Sequence, residues 1–298
     1  MRGTPTPASP IRHRRFLALS STALCLVSGA TSARAADHVA KIVKRAGTPV
    51  VVQPSQDGDA FASCRSGEKL VGGGALGEGG AVGEVLRISA PDPNHARRWF
   101  ARASNEDAAP HDLTAFAFCA SSGGKDHVTK IVERPGNPVT AQPGQVADAF
   151  AQCRRGEKLV GGGALGGGRP AGDRLKASAP DPSNARRWFA SAVDSDVVNP
   201  NSLTAFAFCA RSGGPDRVKR ITKRAGDPVS VQTVQAADAF AKCRLGEALI
   251  GGGALAAGPG NVLKVSAPDP SHDRRWLTRA RNGDIAPHNL TAFAFCAR

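Results

Sequence analysis

Three Arg-Arg-Trp triplets hold the polar chemistry most worth weighing in this chain: Arg97-Arg98-Trp99, Arg186-Arg187-Trp188 and Arg274-Arg275-Trp276. A guanidinium is a planar fork of donors matched to phosphate and carboxylate, and an exposed indole stacks on sugars or bases. A group offered three times gains avidity on a repetitive polymer. The competing role is structural, with the tryptophans in the core and the arginines paired to nearby acids such as Asp92.

Catalytic chemistry finds little support. His38, His95, His111, His127, His272 and His288 follow the N-terminal segment, and none recurs at one place in all three copies of the sequence. His95 and His272 align with Asn184, while His38 and His127 align with Arg217. Ser89, in "SAPDP", has no repeated histidine partner and no elbow motif, both of which nucleophilic catalysis needs. The recurring acids are Asp59, Glu68 and Asp92, then Asp148, Glu157 and Asp181, then Asp238, Glu247 and Asp269. They lack the dense alternate spacing of a calcium loop, and capping of turns explains them. No catalytic residue, metal or cofactor is expected.

The stretch "CRSGEKLVGGGAL" from Cys64 resembles a phosphate loop at first sight. Such a loop needs Lys-Ser/Thr after the glycines and a helix whose N-terminus faces the phosphate. Here "ALGEGG" follows instead, so the glycines serve a strand, as a bulge or as room for a large neighbour such as Trp99 or a phenylalanine of "TAFAFC". The stretch returns as "CRRGEKLVGGGAL" from Cys153 and "CRLGEALIGGGAL" from Cys243, at steps of 89 and 90 residues. "SAPDP", the Arg-Arg-Trp triplet and "LTAFAFCA" keep step with it. The chain therefore divides into residues 1–35 and three repeats, 36–124, 125–214 and 215–298.

Each repeat is long enough to enclose a small core if stapled. Each holds two cysteines, and repetition favours Cys64–Cys119, Cys153–Cys209 and Cys243–Cys296 over pairings between repeats. Short β-rich segments such as "PVVVQP", "KLVGGGAL" and "RWFARA" alternate with turn-forming "SQDG", "RSGE" and "APDPNH". The expected fold is all-β: three tandem small β-sandwich-like repeats of six or seven strands, each with one intra-repeat disulfide. Both a string of separate repeats and a compact three-fold cluster satisfy the sequence.

The pattern C-x-x-G-x-x-apolar-x-G-G-G, then Trp, then T-A-F/Y-A-x-C-A resembles a module of secreted actinobacterial proteins and some phage tail proteins. Cys64, Gly67, Gly72, Gly73, Gly74, Trp99 and residues 114–120 carry the likeness, as do their counterparts in the other copies. Arginine stands after the first cysteine where proline is usual, and phenylalanine where tyrosine is usual. The resemblance implies a disulfide-bonded β module and no catalytic residue.

Residues 1–35 hold five arginines, no acid, the apolar run "FLALSSTALCLVSGA" and a closing "SARA". This is the pattern of a secretory signal peptide cleaved near Ala35, by the general route rather than the twin-arginine one. No membrane span is expected after it. Its removal lowers the net charge from +14 to +9, basic but spread without a stripe interleaved with aromatics, so nucleic acid is not expected. The sequence suggests a secreted, non-enzymatic binding or cell-surface-associated protein. Its expected partner is an anionic cell-wall polymer, a glycan or a secreted protein. The alternative is a secreted enzyme or enzyme inhibitor with a single site between repeats.

Overall fold

The computed structural model describes residues 39–79, 83–122, 131–167, 172–196, 198–211 and 221–298. The expected signal peptide, the connections 123–130 and 212–220, His38 and His127 lie outside them.

Among the described residues every regular element is a strand, seven in each repeat. The first repeat supplies β1 (Val39–Ala46), β2 (Val50–Val52), β3 (Asp57–Ser63), β4 (Glu68–Gly77), β5 (Glu84–Pro91), β6 (Arg98–Asn105) and β7 (His111–Ser122). The second supplies β8 (Ile131–Pro135), β9 (Val139–Ala141), β10 (Val146–Gln152), β11 (Glu157–Gly166), β12 (Asp173–Pro180), β13 (Arg187–Asp194) and β14 (Asn201–Arg211). The third supplies β15 (Ile221–Ala225), β16 (Val229–Val231), β17 (Ala236–Lys242), β18 (Ala248–Ala256), β19 (Asn261–Pro268), β20 (Arg275–Asn282) and β21 (His288–Ala297). Alternation sets the faces: in β3, Ala60 and Ala62 are buried while Phe61 and Ser63 are exposed.

The strands form three sheets of seven, and no sheet belongs to one repeat. β1, β2, β4 and β7 share a sheet with β17, β19 and β20 of the third repeat. β8, β9, β11 and β14 join β3, β5 and β6, and β15, β16, β18 and β21 join β10, β12 and β13. Each repeat is thus a two-layer sandwich whose layers continue into its two neighbours. The seams are short. Antiparallel β5–β11 pairs Ser89 with Ala164 and Ile88 with Leu165, and β12–β18 and β19–β4 repeat the arrangement. Of the two arrangements the sequence allowed, the closed three-fold cluster is the one adopted.

The glycine triplet explains how the cluster closes. Alanines line the facing layers of the first repeat, including Ala60, Ala101, Ala115 and Ala117, and the Trp99 indole fills the space between them. A Cβ on Gly73 would overlap that indole, and Gly162 and Gly252 stand in the same relation to Trp188 and Trp276. The third glycine meets the next seam. A Cβ on Gly163 would lie 2.7 Å from the Ser89 carbonyl oxygen and 3.0 Å from the far edge of Trp99. The first glycine faces the centre, where a Cβ on Gly161 would sit 3.3 Å from the Val71 carbonyl oxygen. Each indole also packs on the neighbouring repeat's phenylalanine: Trp99 on Phe208, Trp188 on Phe295 and Trp276 on Phe118, at 6.1–6.3 Å between ring centres. Its Nε1–H donates to the seam serine, Ser89, Ser178 or Ser266, at 3.2–3.3 Å. A β-bulge opposite "AFC" skips Val71, Val160 and Ile250 and sets this register.

The disulfides are Cys64–Cys119, Cys153–Cys209 and Cys243–Cys296, each within a repeat and tying one layer to the other. Closing a loop of that length contributes about 4 kcal/mol in the chain-entropy account.

Two outcomes follow. Gly252→Ala must displace the Trp276 ring and will lower stability by about 1–3 kcal/mol or more, whereas Gly251→Ala meets only the Val160 carbonyl oxygen at 3.6 Å and will be nearly neutral. Urea unfolding of the two neighbours checks this, and equal losses would refute the seating. Residues 215–298 expressed alone can satisfy their seams only against two further copies. Light scattering should show a trimer, and a stable folded monomer would contradict the shared-sheet architecture.

Candidate binding surfaces

The Arg-Arg-Trp triplets are divided by the backbone into three different roles. Trp99, Trp188 and Trp276 are almost wholly inaccessible to solvent, so they build the core and seams and offer no platform to a ligand. This corrects their assignment as binding residues: β6, β13 and β20 turn that side of the strand inward onto the glycines. The second arginine of each triplet folds back. Arg98 pairs with Asp92, Arg187 with Asp181 and Arg275 with Asp269. The same guanidiniums lie 4.2–4.3 Å from the ring centres of Phe61, Phe150 and Phe240. Ion pair and cation–π contact together hold these arginines to the local fold.

The first arginine is left for other work. Arg97 is exposed, Arg186 and Arg274 are partly so, and none makes a side-chain hydrogen bond or ion pair with a described residue. The carbonyls of these three arginines accept from the amides of Cys64, Cys153 and Cys243 at 2.9 Å. That bond brings the backbone of each arginine beside the residue that follows the cysteine, exposed Arg65, Arg154 or Arg244. The turn is fixed by Gly67, Gly156 and Gly246, whose φ values of 79–83° favour glycine. Glu68 caps it by accepting from the Arg65 amide at 2.8 Å. Glu68 is itself held bidentately by Arg45, whose hydrogen bonds keep its carboxyl below the usual range. The same contacts from Arg224 hold Glu247 down to about 2. Each repeat therefore carries two arginines on one corner, neither in a close ion pair with a described residue. Arg65, Arg154 and Arg244 escaped the sequence reading although "Cys-Arg" recurs as faithfully as Arg-Arg-Trp.

The recurring acids other than the exposed Asp148 are held in hydrogen bonds or ion pairs of the fold. Asp92 accepts from the Asn94 amide as well as from Arg98, and Asp59 takes both nitrogens of Arg102 at 2.6 and 2.9 Å. The groups with converging ligand atoms among the described residues are Cys64–Glu68–Cys119 and its two copies. Their sulfurs are bonded to each other and their carboxylates are held by arginine. His111 and His288, the first residues of β7 and β21, pair with Asp107 and Asp284 of the preceding loops. No helix of the described residues is long and apolar enough to cross a membrane.

A second surface breaks the three-fold pattern. At the seam of the first two repeats a cleft of about 610 Å³ is lined by Gln56, Asp57, Arg87, Ser104, Glu106 and Arg174, among others. Arg87 reaches Ser104, Asp57 and the Gly172 carbonyl, and Arg174 meets Glu106 at 2.7 Å. Close by, Asp173 and Asp194 oppose each other across β12 and β13, both fully buried. The corresponding pairs elsewhere are Glu84–Asn105 and Asn261–Asn282. Repetition could not reveal this cleft, because Asp57, Ser104, Glu106 and Arg174 are not repeated.

Comparison of the chain with protein-family models and with curated proteins gives no match.

Burial, reinforced by Asp194, pushes the Asp173 carboxyl up to about 6 against the pull of Arg87 and the Gly167 amide. A carboxyl with a raised folded pKa is stable when protonated, so this contribution falls as pH rises from about 4 to about 6. Asp173→Asn, which copies Asn261 of the third repeat, should therefore raise the melting temperature at pH 8 and change it little at pH 4. The opposite ordering would show that the carboxylate is stabilised in its charged form.

Proposed function

We propose that the chain is a secreted, non-enzymatic protein whose three modules bind an anionic polymer of the cell surface. The observation that carries this reading is the corner repeated in all three copies: Arg65 with Arg97, Arg154 with Arg186, and Arg244 with Arg274, none of them in a close ion pair with a described residue. Guanidinium forks suit phosphate and carboxylate groups, and a closed ring fixes the spacing of three such corners. Each contact is weak and exposed, so affinity rests on simultaneous engagement. The resemblance to secreted disulfide-bonded modules, the three disulfides and the net positive charge support the same reading.

The cleft favours a second reading, a secreted enzyme or enzyme inhibitor with a single site between repeats. Its lining residues include no histidine or cysteine, and its carboxylates are bonded to arginine or serine. That arrangement suits binding better than proton transfer or nucleophilic attack.

Co-sedimentation with a phosphodiester-linked wall polymer, beside an uncharged glucan, tests the first reading. Binding should fall steeply with salt, because screening at physiological ionic strength acts over about 8 Å. Replacing one corner, Arg154→Ala with Arg186→Ala, should weaken binding modestly, and replacing all three should abolish it without lowering the melting temperature. Arg98→Ala should instead lower stability and spare binding. Full, salt-insensitive binding by the folded three-corner variant would eliminate the arginine mechanism.

A further inference from the structure

We infer that the seam between the third and first repeats is a pH-dependent latch, held shut in mild acid by the neutral form of Glu84 and eased near neutrality when that side chain ionises. The seam is placed to act as one. The first and second repeats, and the second and third, are consecutive in the chain, so this seam alone closes the ring between repeats that are not. Its ladder is two pairs long, Leu76 with Val265 and Ala75 with Ser266.

The first argument is geometric. Equivalent positions of the three seams bury one basic side chain each, Arg87, Lys176 and Lys264. Arg87 donates across its seam to the Gly172 carbonyl, and Lys264 Nζ comes within 3.2 Å of the position that a Cβ on Gly83 would take. The residue that opens the second strand of the partner repeat's hairpin is Asp173 at the first seam, Asn261 at the second and Glu84 at the third. Asp173 accepts from the Gly167 amide at 3.0 Å, and the Asn261 side chain donates to the Ala257 carbonyl. Glu84 has no such bond. It is 1% exposed, and neither of its carboxylate oxygens has a hydrogen-bond donor.

The second argument comes from the charges around Glu84. His111 of β7, paired with Asp107, and Lys264 of β19 face it, with Glu78 just after β4 and the uncharged Asn105 of β6. Glu106, Arg279 and Arg281 lie around Lys264. Residues 80–82, Gly-Ala-Val, add no charge. A carboxyl withdrawn from water without a donor favours its neutral form. Burial pushes Glu84 up to about 7, against the weaker pulls of its own amide, His111 and Lys264. A carboxyl raised in the folded state contributes fully below its ordinary value of 4.5, and that contribution is lost as pH rises to about 7. Burial lowers Lys264 to about 8, so its contribution is present above 10.5 and lost as pH falls to about 8. The seam is therefore weakest between about pH 7 and pH 8.

The latch does not involve the arginine corners, so it stands apart from polymer binding. Hydrogen exchange of the full chain, resolved by peptide, reads it seam by seam. At pH 4.5, wild type and Glu84→Gln should protect β4 and β19 to a similar degree. At pH 7.5 the wild type should exchange there about tenfold faster or more, because ionisation favours the opened seam. β12 and β18, which meet at the seam that carries Asn261, should exchange alike in both proteins at both pH values. Glu84→Asn, which copies Asn261, is the second variant if the first does not fold. In the wild type alone, protection of β4 and β19 relative to β12 and β18 should fall by a similar factor between pH 4.5 and pH 7.5, once each is divided by its intrinsic exchange rate. Faster exchange of β4 and β19 in the variant than in the wild type at pH 7.5 would overturn the inference, by making Glu84 a charged partner of Lys264. Equal protection in both proteins at both pH values, or a change spread evenly over all three seams, would overturn it as well.

Discussion

The structure depends on an indole seated on glycine. Trp99 occupies the space over Gly73 that a side chain would fill, then extends to Gly163 and Phe208 of the next repeat. One side chain thereby joins the core of its own sandwich to the seam with its neighbour. A buried tryptophan removes roughly 150–250 Å² from water, the largest single payload in alanine-lined layers. The seam ladders are only two residue pairs long, too short to hold the repeats together by backbone bonds alone. The same constraint fixes two of the three glycines: one admits the resident indole and one admits the neighbour's strand.

A ring closed in this way restricts where sequence can vary. Positions facing the indole have no spare volume. Outer faces and turns do, and there the copies retain free arginines. The polar ends of the seams vary most, as Glu84–Asn105, Asp173–Asp194 and Asn261–Asn282 show. Hairpin ends near the rim tolerate a buried carboxylate because Gly167 and Asn201 can donate to it. Chemistry specific to one ligand therefore has room at a seam, where two non-identical edges meet.

Much of the fold was legible because it is written three times. Repetition selected the disulfide pairing, and short β-rich runs between turn residues marked the seven strands of each repeat. The alternation in "LTAFAFCA", apolar on both sides, indicated a covered inner strand, and β7, β14 and β21 are flanked and buried in that way. The sharing of sheets was not legible. Ser89 pairs with Ala164 of the next copy rather than with its own Ala75, yet the two alanines occupy the same motif. Local sequence carries no mark that distinguishes them. The triplet was ambiguous for a similar reason. In "RWF" either aromatic ring can face inward, and only the glycines opposite decide in favour of tryptophan.

Symmetry separates the two candidate surfaces by the kind of partner each suits. A corner present three times, at one spacing, gains from a ligand that itself repeats, because the second and third contacts form without further loss of overall translational freedom. A cleft present once gains nothing from a repeating ligand and must hold its ligand with the groups it encloses. The charges follow that division. The corner guanidiniums stand outside close ion pairs with described residues, and a polyanion's field, which acts at a distance, would reach them. The cleft's arginines and carboxylates instead hold one another, Arg87 with Asp57 and Arg174 with Glu106, which Arg281 also approaches at 3.8 Å.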